Sequence, residues 1–167
     1  MNIWELFNKA IKEKMIVGLP LSSEDLELCK EARRIFMECN KSLYNGELPE
    51  TDIFINPFDS SECAEFTPVC ISSIWYNNTG NPAIIIYPLN IYSRGQLIET
   101  VLHEMAHEYC WIKGITDLDP NTAKHTRDFA AVCNAHGLCY EDGEDDWMNT
   151  RLAKQPVLHV LKGGKAD

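Results

Sequence analysis

The chain lacks both a long apolar run and an excess of positive charge. Its apolar stretches, such as residues 83–87, fall far short of the roughly 20 residues that cross a bilayer, so we expect no membrane-spanning segment. Lys and Arg number 15 against 25 Asp and Glu, which gives a formal net charge of −10. Tight, non-specific binding to nucleic acid needs clustered cations against the phosphates, so the charge balance argues against that function.

Closely spaced cysteine pairs are missing as well. None of the seven cysteines forms a Cys-x-x-Cys pair, and Glu5 interrupts the region where a secretory signal peptide would be basic and then apolar. We therefore predict reduced thiols in a cytoplasmic protein. A structural zinc site remains an alternative, built from Cys63 with Cys70 or from Cys133 with Cys139, although both spacings are wider than usual.

Both helical and strand-like patterns occur along the chain. Ser22 and Asp25 have the spacing of a capping box, which predicts a helix from this point to near Asn45 and Gly46. Farther along, residues 141–167 are acidic and then Lys-rich, which favours a loosely held tail. The predicted regions are an N-terminal helix at 1–20, a single domain at 21–140 and the tail at 141–167.

A β-hairpin is predicted in the middle of the chain. Residues 69–76 and 83–87 are rich in β-branched and aromatic side chains, and they flank the turn-forming sequence Asn-Asn-Thr-Gly-Asn-Pro at 77–82. Prolines flank the second strand at both ends, which favours an edge strand over a central one. Residues 51–55 alternate like a further short strand, so we expect a small sheet.

A long helix at 94–113, capped by Ser93 with Gln96 and followed by Gly114, contains His103-Glu104-Met105-Ala106-His107. Residues four apart lie on one face of a helix, so the two imidazoles can reach one metal ion. Glu104 lies to one side of them, where its carboxylate can take a proton from a water on the metal. The predicted apolar stripe faces away from this motif and consists of Ile98, Val101, Leu102, Met105, Tyr109 and Ile112.

A catalytic zinc ion needs three protein ligands and an open position. We prefer His125 as the third ligand, at the start of a further helix predicted at about 122–136. His136 would lie roughly 16 Å farther along that helix, so both cannot bind one ion. The alternatives to His125 are His136 and the acidic residues Asp117, Asp119 and Asp128. We interpret Cys110 as a buried free thiol, Glu108 as turned about 100° away from His107 and His159 as an exposed tail residue.

Several segments resemble the SprT-like family of zinc metallopeptidases, which includes the bacterial SprT proteins and the Spartan protease. Residues 97–109 are similar to the family's metal-binding helix, and residues 39–49 to the stretch that precedes its first strand. The strand at 84–86, with Pro-Leu after it, falls where the family's last strand lies. Residues 125–129 resemble the segment His-Gly-x-Glu-Phe, with Thr126 and Asp128 in place of Gly and Glu.

This resemblance implies a zincin-like α+β fold, with His103, His107 and His125 as zinc ligands and Glu104 as catalytic base. It also implies an edge strand that presents its backbone to an unfolded or extended peptide. DNA is a partner of larger relatives, but the acidic balance of this chain argues against it. No cysteine follows Cys139 to form the zinc ribbon of many bacterial members.

The predicted function is therefore peptide hydrolysis at one zinc ion. The alternative is a zinc-binding module that binds peptides by strand addition with little proteolytic activity. A further alternative, a nucleic-acid-binding protein with an incidental metal, is disfavoured by the charge. Residues that can stabilise an oxyanion beside the metal are Arg127, Tyr87, Tyr92 and His136.

Overall fold

Three helices and two small sheets make up the part of the chain that the structure, a computed structural model, describes, namely residues 22–55, 72–76, 82–87, 91–122, 124–140 and 150–153. The helices are α1 (Ser23–Leu43), α2 (Arg94–Lys113) and α3 (Arg127–Ala135). The strands are β1 (Asp52–Ile55), β2 (Ser72–Tyr76), β3 (Pro82–Ile86), β4 (Leu138–Tyr140) and β5 (Thr150–Leu152). The predicted α+β class is confirmed, whereas the helix predicted at 1–20 lies outside the described residues.

Helix α1 begins at the predicted capping box. The Ser22 hydroxyl accepts a hydrogen bond from the Asp25 N–H at 3.0 Å, and the Asp25 carboxylate accepts one from the Ser22 N–H at 3.2 Å. These bonds satisfy donors that the start of a helix leaves without partners inside it. The helix ends before Asn45 and Gly46, whose φ angles are 54° and 73°, so the predicted turn is confirmed. Its buried face consists of Ala32, Ile35, Phe36 and Cys39.

Strand β3 lies at the centre of a three-stranded sheet with the order β1-β3-β2. It pairs antiparallel with β2, which confirms the predicted hairpin, and parallel with β1. The prediction that β3 is an edge strand is therefore wrong. Pro82 is the first residue of the strand and Pro88 follows its end, so neither proline removes an interior N–H from the ladder. Ile84, Ile85 and Ile86 are all buried, as expected for a strand covered on both faces.

Helix α2 has the predicted ends. The Ser93 hydroxyl accepts from the Gln96 N–H at 3.2 Å, and Gly114 takes the left-handed conformation, with φ 65°, just after the last turn. The Gln96 side chain accepts from the Tyr92 N–H at 2.9 Å and from the Ser93 hydroxyl at 3.3 Å, but not from the Ser93 N–H, so the predicted reciprocal capping box is only half formed. Because glycine has no Cβ, Gly114 adopts this conformation at little cost.

Helix α2 is buried around most of its circumference. Helices α1 and α3, the three-stranded sheet and the β4–β5 pair all contact it. The predicted division into an apolar face and a polar motif face therefore holds only in part. Glu104 and His107 of the motif are buried, whereas Ile112 of the apolar stripe is 37% exposed.

Residues 150–152 return to the domain as strand β5, which pairs antiparallel with β4. The Leu152 N–H donates to the Glu99 carboxylate of α2 at 2.9 Å. The prediction of a loosely held tail is therefore wrong for residues 150–153, and the remaining tail residues lie outside the described ranges. Three residues are too few for a periodic pattern to mark them as a strand.

The hydrophobic core lies between α1, α2, α3 and the sheet. The largest side chains that are fully buried in it include Tyr44, Phe129, Ile35, Ile53, Leu102 and Met105. No helix in the described part of the chain has the length and apolar character that a membrane span requires.

Candidate metal centre

Three imidazole rings meet beside α2. His103 and His107 lie about one turn apart on this helix, and His125 approaches from the segment just before α3. The Nε2 atom of His107 lies 3.2 Å from the Nε2 atom of His103 and 3.1 Å from that of His125. The group can hold a metal ion, because one ligand atom from each residue lies within 4.8 Å of the others. Within the described ranges, no other group of three His, Cys, Asp or Glu residues has this property.

The loop between α2 and α3 folds back on itself and so brings His125 to the helix. Leu118 and His125 form an isolated antiparallel bridge. Next to it, the Thr126 N–H donates to the Asp117 carbonyl at 2.9 Å. These contacts hold the segment before α3 against the segment after α2, and the third imidazole reaches the other two without being part of either helix.

Helix α3 begins later than its sequence predicts. The Thr126 hydroxyl accepts from the Phe129 N–H at 3.1 Å, which makes Thr126 the N-cap and Arg127 the first helical residue. The prediction of a helix from about 122 that His125 opens is therefore wrong. His125 has strand-like pairing instead, because the backbone on both sides of it bonds to the loop after α2.

The outer nitrogens of two imidazoles have partners elsewhere in the protein. The Nδ1 atom of His107 lies 2.7 Å from the Asp117 carboxylate, and the Nδ1 atom of His103 lies 3.1 Å from the Thr150 hydroxyl. Burial alone would raise the pKa of Asp117, but the bonds from His107 and from the Leu118 N–H lower it below its usual value. Asp117 is therefore ionised at neutral pH and accepts the Nδ1–H of His107.

That bond decides which ring nitrogen of His107 carries the hydrogen. With hydrogen on Nδ1, neutral His107 has a lone pair on Nε2, and both His103 and His125 direct their Nε2 atoms at it. One lone pair accepts one well-formed hydrogen bond, so protein groups alone satisfy at most one of these two contacts. A metal ion would instead receive an electron pair from each of the three nitrogens.

Phe129 forms an apolar floor for the imidazoles. Its ring stacks on His125 with centroids 4.3 Å apart and on His107 at 4.2 Å, and it meets the edge of His103 at 5.3 Å. Tyr140 of β4 meets the His125 ring edge-on at 6.1 Å. Because Phe129 is fully buried, it restricts the tilt of all three rings and keeps water from that side.

The site favours neutral imidazole. Burial lowers the pKa of His103 well below its usual value, and the neighbouring His107 and His125 lower it further. A metal ion binds the neutral form, so the environment that disfavours protonation of His103 also favours its role as a ligand.

Two glutamates of α2 lie inside the protein next to the histidines. Glu104 is 3% exposed, and its position along the helix axis is between His103 and His107. Glu108 is fully buried and accepts a hydrogen bond from the Thr51 hydroxyl at 2.7 Å. Burial raises the pKa of Glu108 to about 7, against the lowering effect of the Thr51 bond. Glu108 is not a member of the three-histidine group, in keeping with its predicted direction.

The other predicted ligands have different surroundings. The Nδ1–H of His136 donates to the Val132 carbonyl at 2.7 Å, and its ring stacks on Tyr44 at 4.1 Å. The Asp119 carboxylate accepts from two backbone N–H groups of its own loop. Asp117 lies behind His107 rather than beside the other two imidazoles. Asp128, in the first turn of α3, is exposed and does not belong to the three-histidine group.

The described cysteines are free thiols, which confirms the interpretation of Cys110. Burial raises the pKa values of Cys110 and Cys133 to about 12, so both thiols are protonated at neutral pH. Cys133 is buried and Cys139 is exposed. Neither belongs to a group that could hold a metal ion among the residues the structure describes. The alternative pair Cys63 and Cys70, like His159, lies outside the described residues.

Sequence reasoning missed three residues that shape the site: Asp117 in this role, Thr150 and Phe129. No local pattern marks the first two, because each meets its imidazole only through tertiary folding. Of the proposed oxyanion residues, His136 packs on Tyr44, and Tyr92 is 82% exposed. The stacking contact of His136 does not involve the three histidines.

In comparisons with known proteins, the chain matches no protein-family model and no curated protein.

Proposed function

We propose that this protein is a zinc metallopeptidase in which His103, His107 and His125 bind the ion and Glu104 is the general base. The observation that carries the proposal is the convergence of three Nε2 atoms, with separations of 3.1 and 3.2 Å between His107 and its two neighbours. Nitrogens about 2.0–2.1 Å from a tetrahedral zinc ion are about 3.3 Å apart, close to those separations. Three neutral imidazoles are also a typical donor set for catalytic zinc.

The chemistry follows from the neighbours of the three imidazoles. A zinc ion held there would lower the pKa of a coordinated water and polarise a carbonyl group, as peptide hydrolysis requires. Glu104 would accept the proton of the attacking water and deliver it to the leaving amine. Its burial supports this role, because few bulk water molecules can reach the carboxylate and compete for its proton.

An extended peptide is the substrate that suits the sheet best. Strand β2 contacts α2, and among the described strands it pairs with β3 alone, so one of its edges has no partner strand there. A peptide could add to this edge through backbone hydrogen bonds and lie along the helix that carries the histidines. We therefore assign the peptide-binding edge strand that the family resemblance implies to β2 rather than to β3. The SprT-like resemblance, which rests on the sequence segments quoted above, points to the same zincin-like arrangement.

Replacement of the general base tests the proposal. Glu104→Gln preserves the size of the side chain but removes its basicity, so zinc should stay bound while hydrolysis of casein falls by at least ~100-fold. Glu99→Gln is the matched control on the same helix. Glu99 accepts a hydrogen bond from the Leu152 N–H, and glutamine can still accept it, so zinc content and activity should not change. Zinc content and initial rates are measured for all three proteins.

Two outcomes would contradict the proposal. If the wild type and Glu104→Gln hydrolyse casein equally fast, Glu104 is not the base and the mechanism is wrong. If both are inactive on several unfolded substrates but bind peptides, the protein is a zinc-binding interaction module instead.

A further inference from the structure

The loop after α2 contributes the carboxylate of Asp117, which takes part in none of the proposed steps of hydrolysis. The Asp117 Oδ2 atom lies 2.7 Å from Nδ1 of His107, and its Oδ1 atom accepts from the Leu118 N–H at 2.9 Å. Both carboxylate oxygens therefore have partners, and the carboxylate plane is fixed. The His107 side chain is 9% exposed and that of Asp117 34%, so the pair is shielded mainly on the imidazole side.

We propose that Asp117 is a positioning residue that sets the affinity of the three-histidine site for zinc. Its carboxylate holds the hydrogen of His107 on Nδ1 and thereby directs the Nε2 lone pair toward His103 and His125. An anionic acceptor behind an imidazole also raises the basicity of the opposite nitrogen. The inference rests on the metal site of the proposed function but not on peptide hydrolysis.

Asp117 connects two parts of the site that are separate in sequence. Its side chain holds His107 of α2, while its backbone carbonyl accepts from the N–H of Thr126, next to His125. Substitution of the side chain leaves the carbonyl in place, so the loop can still present His125. A loss of zinc affinity in such a variant therefore reports on the bond to His107.

The partner of His103 is of a different kind. Thr150 offers a neutral hydroxyl at 3.1 Å, against the charged oxygen at 2.7 Å behind His107. Hydrogen bonds to a charged acceptor are shorter and about twice as strong as neutral ones. Asp117 is thus the outer partner whose removal should matter more.

Zinc affinity at pH 7, measured by competition with a chromophoric chelator, tests the proposal. We expect Asp117→Ala to weaken zinc binding by about 10- to 100-fold. Asp117→Asn keeps a carbonyl acceptor without the charge, so its loss should be smaller. Asp119→Asn is the matched control from the same loop, since the Asp119 carboxylate bonds to Asn121 and Thr122 of its own loop and is not the carboxylate that bonds to His107. It should bind zinc within about two-fold of the wild type.

The tautomer of His107 is a second measurement that needs neither zinc nor substrate. In the metal-free, ¹⁵N-labelled protein, NMR should find hydrogen on Nδ1 of His107 in the wild type and a mixture of tautomers in Asp117→Asn. A purely structural role of Asp117 would not shift this equilibrium in a folded protein.

Two results would overturn the inference: folded Asp117→Ala that binds zinc within two-fold of the wild type, or wild-type His107 with its hydrogen on Nε2. If Asp117→Ala does not fold, the zinc affinity of Asp117→Asn and the tautomer of His107 test the inference instead. If the wild type shows the expected tautomer and the variants show the expected zinc affinities, but the wild type hydrolyses no peptide, only the proposed function is contradicted.

Discussion

Each imidazole of the candidate metal centre has two ring nitrogens in different surroundings. The Nε2 atoms point at one another, whereas the Nδ1 atoms of His107 and His103 bond outward to Asp117 and Thr150. Phe129 stacks against two of the rings. The rings are thus held in a ligand-ready orientation by their neighbours, which reduces the reorganisation needed on metal binding.

At this scale, His125→Ala and His136→Ala should have very different effects. His125→Ala removes one of the three proposed ligands and should weaken zinc binding by at least ~100-fold. His136→Ala removes a ring that stacks on Tyr44, away from the three Nε2 atoms, so zinc affinity should change little even if stability falls. Zinc dissociation constants, with circular dichroism to confirm folding, give the comparison. Equal losses of affinity in two folded variants would rule out the assignment of His125.

The spacing of His103 and His107 was sufficient to predict their convergence, because four residues make about one turn of any helix. The burial of Glu108 was not predictable in the same way. Its carboxylate meets Thr51, 57 residues earlier in the chain, and nothing in the sequence around either residue indicates that pairing. Roles that depend on such distant partners require the tertiary structure.

At the scale of elements, charged side chains tie α1 to the start of α2. The Glu31 carboxylate bonds to Arg34 of its own helix and to Arg94 of α2, each at 2.8 Å. The bond to Arg34 and then that to Arg94 lower the pKa of Glu31 from 4.5 to about 2, although burial opposes the shift. The pair with Arg94 links the first turn of the metal-site helix to its neighbour.

Glu31→Gln should destabilise the protein by about 1 kcal/mol at pH 7. The shift in pKa alone would suggest more, but the side chains of Arg34 and Arg94 are 39% and 47% exposed, so solvent screens the pairs. Because the folded-state pKa is lowered, this stabilisation is present above pH 4.5 and is lost as pH falls toward 2. The difference between wild type and variant should therefore shrink in acid. Urea unfolding between pH 3 and 7 measures it.

The control for that experiment is Glu27→Gln on the same helix. The pair of Glu27 with Lys30 is 72% and 71% exposed, so its removal should change stability little. Two results would contradict a stabilising role of the Glu31 ion pairs. One is a Glu31→Gln variant that is as stable as the Glu27→Gln control at neutral pH, and the other is a stability difference from the wild type that grows in acid.

Helix ends and the hairpin were predictable because their signals are local: capping residues, a glycine after the last turn and a turn-forming run between two β-rich segments. The position of β3 was not. Prolines at the two ends of the β-rich segment suggested an edge, but strand order depends on β1, which lies in an earlier part of the sequence and pairs with β3. The burial of α2 on most sides likewise depends on how many neighbours pack on it.

At the scale of the whole molecule, the site is assembled from separate parts of the chain. Helix α2 supplies two histidines, the loop before α3 the third, and strand β5 the hydroxyl behind His103 across 47 residues of sequence. The chain as a whole carries a formal net charge of −10, which favours attraction of a cation over binding of nucleic acid. The fold thus places the histidines of the predicted motif next to residues that lie far from the motif in sequence.

X-ray absorption at the zinc edge of the purified protein shows whether three imidazoles bind one zinc ion. We expect one zinc per chain, with nitrogen or oxygen ligands at about 2.0–2.1 Å and the outer-shell scattering of three imidazole rings. Sulfur at about 2.3 Å would place the metal at cysteines instead. Such a spectrum, or a folded protein that retains no zinc, would show that the three histidines do not form a zinc site.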